Sequence, residues 1–90
     1  MKSNLIWILY RSDSYSAHKE TLNCKKIIES YGKKVLISEI SIEKNNINEL
    51  FTSSDNLPEI AIVLGGDGTV LRAAKYLSTQ NIPILSFNVG

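Results

Sequence analysis

The sequence has few of the residues that staple or metallate a small fold. Its one cysteine, Cys24, rules out an internal disulfide and fits a reducing, cytoplasmic setting. Its one histidine, His18, has no second histidine at a metal-ligand spacing. No stretch approaches the roughly 20 apolar residues of a membrane span. The apolar run that follows residues 1–4 is too short for a signal sequence. There is no charge excess either: ten basic and nine acidic side chains leave +1, which removes the electrostatic case for nucleic acid or an anionic membrane as partner. Lys25, Lys26, Lys33 and Lys34 sit around a helix end and read as solvated surface. Cys24 falls on the inward face of a helical pattern, where it reads as a small buried apolar residue rather than a catalytic thiol.

What is present is a chain of 90 residues, 43% apolar and 21% charged. That is one domain, able to bury roughly 60–65% of its unfolded surface. Residues 5–9, LIWIL, form a continuous apolar run of the kind found in strands covered on both faces. A polar turn over 10–16 gives way to a helical pattern from Ala17, with Ala17, Thr21, Cys24, Ile28 and Tyr31 on one face. Ser14 or Ser16 can cap it, Glu20 suits its first turn, and Gly32 can supply the left-handed stop. A second strand begins at residues 35–37, with room to run to Ile42. Ile47, Leu50 and Phe51 have the spacing of a short helix, and 52–58 read as a loop. Residues 60–64 are a third strand. Val70, Leu71, Ala74 and Leu77 mark a further helix face that ends at Gln80 and Asn81, and 83–87 are a fourth strand. The alternation predicts an α/β domain with an open, doubly wound parallel sheet of Rossmann-like type and right-handed crossovers. In such sheets ligands bind beyond the carboxyl ends of the strands.

Between the third strand and its helix stands GGDGT, with three of the chain's five glycines. Glycine permits the dihedral angles of a sharp turn and lets a ligand approach the main chain. The amides that open the following helix favour an anion, typically phosphate. Gly65, Gly66, Gly68 and Thr69 are therefore a candidate phosphate cradle. Asp67 admits three readings: it shares a divalent cation with the phosphate, it accepts the proton of a ligand hydroxyl, or it caps the helix in a tight turn. The first two belong to phosphoryl transfer, where positioning and charge neutralisation carry most of the catalysis. The G-x-x-x-x-G-K-[ST] loop is absent, and Leu71 occupies the place of the third glycine in the dinucleotide fingerprint.

The stretches VLGGDGTVLRAA (63–74) and NIPILSFNVG (81–90) resemble the NAD kinase family. The first strand ending in Tyr10-Arg11 and the helix ending in Tyr31-Gly32 are similar to that family as well. GGDGT alone is shared with diacylglycerol and sphingosine kinases and, as a variant, with 6-phosphofructokinase; its combination with the fourth strand is more specific. The resemblance implies phosphoryl transfer from ATP with Mg²⁺ or another divalent cation, or from polyphosphate in some members. The acceptor is the 2′-hydroxyl of the adenosine ribose of NAD, and the product is NADP. It implies Asp67 as proton acceptor, Asp67 and Gly68 as NAD contacts, Arg72 near the NAD phosphates, and Leu71 near the adenosine. Asn88 and Gly90 would open a segment lining the site. It also implies a homo-oligomer at full length and a second, β-rich domain with an Asn-acid pair for the ribose. Residues 1–90 then read as the N-terminal nucleotide-binding domain, inactive as a fragment. The alternatives are a lipid kinase module, against which stands the lack of a basic amphipathic helix, and a non-catalytic nucleotide-binding domain.

Overall fold

The computed structural model describes residues 4–40 and 57–89. The chain runs through β1 (Leu5–Arg11), α1 (Tyr15–Ser30), β2 (Lys34–Ile40), β3 (Ile60–Gly65), α2 (Asp67–Leu77), a 3₁₀ turn at Ser78–Gln80, and β4 (Ile84–Asn88). The four strands form one sheet in the order β2-β1-β3-β4, every pair parallel. The short helix expected around Ile47, Leu50 and Phe51, most of the loop after it, and any extension of β2 to Ile42 lie outside the described residues.

The two apolar runs LIWIL and IAIVL become the central strands, as continuous hydrophobicity requires. Their side chains alternate between the faces. Trp7 and Leu9 join Ala61, Val63, Ala73, Leu77 and Ile82 on one face, under α2. Ile6, Ile8 and Tyr10 join Ala17, Ile62 and Leu64 on the other, under α1. One helix per face is the doubly wound arrangement expected from the sequence. Each large side chain buried this way stabilises the fold by about 1.5–3 kcal/mol. β2 and β4 are the edges, and Leu85 and Phe87 on β4 remain about half exposed.

Helix α1 begins at Tyr15, two residues before the expected start, because Ser14 rather than Ser16 is the cap: its hydroxyl accepts a 3.1 Å hydrogen bond from the Ala17 amide. Glu20 consequently falls in the second turn, outside the strongest part of the helix dipole. Thr21 is fully buried with its hydroxyl donating to the Ala17 carbonyl at 2.8 Å. Tyr31, expected on the inward face, is instead the C-terminal cap residue and is 80% exposed. The helix ends at Ser30, and Gly32 takes the left-handed conformation at φ 82°, as expected of a stop.

Helix α2 also differs from its expected face. Ala73 and Leu77 are buried, with Val70 and Tyr76 packed against the same cluster, whereas Leu71 is 72% exposed. Each residue turns the helix by about 100°, so once Val70 and Ala73 meet the sheet, Leu71 points away from it. Asn81 ends the segment in the left-handed region at φ 56°, and the Ile82 amide donates back to the Leu77 carbonyl at 3.2 Å. At the opposite end of the sheet Lys33 pairs with Glu59 at 2.9 Å. Among the described residues no helix is long and apolar enough to cross a membrane.

The two leucines of α2 separate the faces experimentally. Leu77→Ala should lower unfolding free energy by about 2–5 kcal/mol, while Leu71→Ala should change it by less than about 0.5 kcal/mol. Urea denaturation of both variants checks this.

Candidate functional site

The chain leaves β1 toward β2 on one side and leaves β3 toward β4 on the other. The carboxyl ends of β1 and β3 therefore flank a topological switch point, where open α/β sheets hold their ligands. Tyr10 pairs with Leu64 across the two strands, which sets Arg11 level with Gly65. Trp7 and Leu9 face α2, and continued alternation sends Arg11 to the same side. A cleft of about 340 Å³ opens there, lined by Arg11, Ile40, Gly66, Asp67, Gly68, Thr69 and Arg72.

The strand-to-helix turn forms its floor. Gly66 is the N-cap residue, with extended backbone and no side-chain cap bond, and Asp67 is the first helical residue. The first intrahelical bond runs from the Val70 amide to the Gly66 carbonyl at 3.1 Å, so the amides just before it have no partner within the helix. The capping role considered for Asp67 is thereby excluded. Its side chain is exposed and adds a favourable charge at the helix N-terminus.

The glycines act through space rather than through dihedral angles, contrary to the expectation of a conformationally demanding turn. Of the described glycines only Gly32 has positive φ. A Cβ on Gly65 would lie 2.8 Å from the Cβ and Oγ1 of Thr69, so this glycine lets α2 start tight against β3. A Cβ on Gly66 or Gly68 would meet nothing within 4 Å. Those two leave room in the cleft.

Of the residues singled out in the sequence, Gly66, Asp67, Gly68, Thr69 and Arg72 come together in this cleft, with Gly65 buried beneath them. Leu71 lies in an adjoining hollow of about 460 Å³ with Gly68, Arg72, Lys75 and Tyr76. The two hollows meet at Gly68 and Arg72. Asn88 stands apart. It pairs with Gly65 in the sheet but lines a hollow with Glu20, Cys24, Leu64, Phe87 and Val89. Gly90 is outside the described residues.

Sequence reasoning missed Arg11 and Ile40. Tyr10-Arg11 entered only as part of the family resemblance; the physical signal for Arg11 was its parity with Trp7 and Leu9, which acquires meaning once β1 is known to lie beside β3. The Arg11 guanidinium donates from Nε and Nη2 to the two Asp13 oxygens at 2.5 and 3.1 Å. This hydrogen bonding, aided by the opposite charges, holds the Asp13 carboxyl below the usual range and makes Arg11 keep its proton more firmly.

On the α1 side, the Tyr10 hydroxyl donates to Glu39 Oε1 at 3.0 Å and its ring stacks on His18 at 5.4 Å. Burial first, and the Glu39 carboxylate second, push the Tyr10 phenol up. Burial, then the charge of Glu20, pushes the Cys24 thiol up, which disfavours the thiolate a nucleophile needs. Among the described residues no three His, Cys, Asp or Glu side chains gather as a metal site.

These features define an open α/β domain with a cleft at the switch point, floored by a glycine-rich strand-to-helix turn. The family profile described as the ATP-NAD kinase N-terminal domain matches residues 6–90. The chain belongs to the ATP-NAD kinase family. Over its whole length it is 80% identical to "NAD kinase 1" of Prochlorococcus marinus (strain NATL2A), covering 30% of that protein. It is 41% identical over its whole length to "NAD kinase 1" of Parasynechococcus marenigrum (strain WH8102), covering 28% of it. It is 46% identical over 73% of its length to "NAD kinase" of Clostridium tetani, covering 24% of it. The chain thus spans under a third of the length of these relatives. No solved structure gives a significant match.

Two measurements test the site's construction. Gly65→Ala should destabilise the fold by about 1–3 kcal/mol through overpacking, whereas Gly68→Ala, inside α2, should leave it unchanged or about 0.5–1 kcal/mol more stable. Thermal unfolding distinguishes the two. In an ultraviolet titration, one of the four tyrosines should ionise later than the rest. The stability tied to the Tyr10 proton is present below the ordinary tyrosine value of about 10 and is lost as pH rises through the raised folded value. Glu39→Gln should bring this late transition down only in part, because burial is the larger cause.

Proposed function

We propose that this chain forms the N-terminal, nucleotide-binding part of an enzyme that moves a phosphoryl group from ATP to the 2′-hydroxyl of the adenosine ribose of NAD. The observation that carries the reading is the position of Asp67. It is an exposed carboxylate on the first residue of α2, in the cleft at the switch point, amid helix-opening amides and two arginines. Anionic phosphates suit the amides and arginines, and a hydroxyl suits the carboxylate.

The paired hollows support one orientation. The phosphates lie over residues 66–69, and the adenine rests against the exposed apolar surface of Leu71 in the adjoining hollow. The ribose then falls near Gly68, where the hollows meet and where the missing side chain leaves room. As the 2′-oxygen bonds to phosphorus and the bond to the departing ADP oxygen breaks, Asp67 takes the hydroxyl proton. The proton moves late in that step, when the attacking oxygen has become acidic.

A divalent cation such as Mg²⁺ supplies charge neutralisation on the donor phosphates. Among the described residues Asp67 is the only carboxylate lining the cleft, and it would face a divalent cation brought in on the donor phosphates. The relatives' names and the family support the NAD and ATP assignment; polyphosphate remains a second donor of the same phosphate chemistry.

A chimera tests the reading: this chain replaces the matched segment of the 80% identical Prochlorococcus protein. The chimera should make NADP from NAD and Mg-ATP. Asp67→Asn in it should lower kcat by about 10²–10⁴-fold with the melting temperature lowered only slightly, by loss of the charge at the helix N-terminus. Undiminished turnover would remove Asp67 from the chemistry.

A further inference from the structure

We infer that Arg11 is a phosphate-binding residue of the cleft, held in its pose by Asp13, and that it grips the nucleotide's phosphate chain from the β1 side. The inference rests on reading the cleft as a nucleotide site. It adds a residue that neither the glycine motif nor the fourth strand contains.

Four observations carry it. First, Arg11 lines the same cleft as the opening turn of α2 but comes from the neighbouring strand. A phosphate there would meet amides on one wall and a guanidinium on the other. Second, the guanidinium is already oriented. Its Nε and Nη2 donate to Asp13, which occupies one edge of the planar fork and leaves the Nη1 edge available. No hydrogen bond from Nη1 is formed among the described residues. Third, Ile40, 4% exposed, pairs with Arg11 in the sheet and lines the cleft beside it. That apolar wall lowers the local dielectric and strengthens a charge-assisted bond. Fourth, among the described residues the charges lining the cleft are Arg11 and Arg72 against Asp67. The two cations let a polyanion enter despite the carboxylate.

The bland account is an exposed ion pair between neighbours in a turn. Such pairs contribute little to stability, because water screens them. This one differs because one partner lines the cleft while the other does not, so its main consequence is where the Arg11 fork points. Asp13 is accordingly a positioning residue. It costs some net attraction for anions and supplies orientation, and a pre-oriented arginine loses less freedom on binding.

The phosphate chain could be that of the donor or the pyrophosphate of NAD. Binding to the 90-residue chain, followed by ¹⁵N NMR with inorganic tripolyphosphate, ATP and NAD, separates these sources. The amides of residues 66–69 report on the cleft, and the Nε–Hε signal of Arg11 reports on its own contact. Arg11→Met should weaken tripolyphosphate and ATP binding about ten-fold or more, the scale of one lost charge-assisted bond. Arg11→Lys, which keeps the charge but loses the fork, should fall between. Asp13→Asn should weaken binding by about two- to five-fold and broaden the Arg11 Nε–Hε signal, while the amides of 66–69 still respond.

Loss confined to tripolyphosphate and ATP supports the inference with the donor as ligand. Loss confined to NAD supports it with the dinucleotide pyrophosphate as ligand. If the amides of 66–69 respond with unchanged affinity in Arg11→Met, the inference is overturned and the nucleotide reading stands. If those amides respond to none of the three probes in the unmodified chain, the nucleotide reading fails and takes the inference with it.

Discussion

The parallel pairing of β1 with β3 places two strand ends side by side and sends their chains in opposite directions. The cleft depends on this. Were β1 and β3 separated by another strand, Arg11 and the glycine turn would each still exist, but no cleft would join them. Parallel pairing also requires each connection to cross over one face of the sheet. That is why α1 and α2 end on opposite faces and why the switch point between them stays open.

The two faces then divide the work. The α1 face is sealed by a long helix whose buried small residues, Ala17 and Thr21, allow close approach to the sheet. The α2 face is sealed by a shorter helix that must start immediately, because its opening turn is the floor of the cleft. Gly65 meets that demand by lacking a Cβ where Thr69 sits. Packing and site geometry thus converge on one pair of residues. The same close approach that seals the face under Ala73 and Leu77 brings amides without a partner in the helix to the end of β3.

Much of the fold was legible because apolar runs of five residues flanked by turns have few alternatives at this length. LIWIL and IAIVL announced the central strands, and their alternation with helical spacing announced the crossovers. What was not legible depended on relations between segments. The inward face of α2 was misplaced at Leu71 because Val70, Ala74 and Leu77 have helical spacings of four and three, as Val70, Ala73 and Leu77 have of three and four, and Leu71 stands three residues before Ala74. Only contact with the sheet chooses between them. Tyr31 was misassigned for a related reason, since spacing alone does not mark the last helical residue. The glycines were recognised in the right place; of the two reasons read for them, special dihedral angles are not used, whereas space beside the main chain is present at Gly66 and Gly68. Sequence shows that a side chain is missing but not whether the absence serves a dihedral angle or a neighbour. Arg11 was invisible as a site residue, because strand order and register are properties of the sheet.

The carboxylate in the glycine turn raises a last question of balance. A phosphate site built of amides and arginines alone would bind a nucleotide well in the ground state without helping it react, and uniform binding does not raise kcat. In the proposed site Asp67 would cost some of that affinity by repelling the bordering phosphates. In the proposed reaction it recovers the cost when the hydroxyl proton leaves and the carboxylate becomes neutral. The repulsion then fades as charge shifts onto the transferring group. In the same proposal Arg11 and Arg72 on either side of the turn sustain binding while Asp67 is charged, so the three side chains would act as one arrangement. On this argument the lone acidic residue among three glycines is where a site for holding phosphate becomes a site for transferring it.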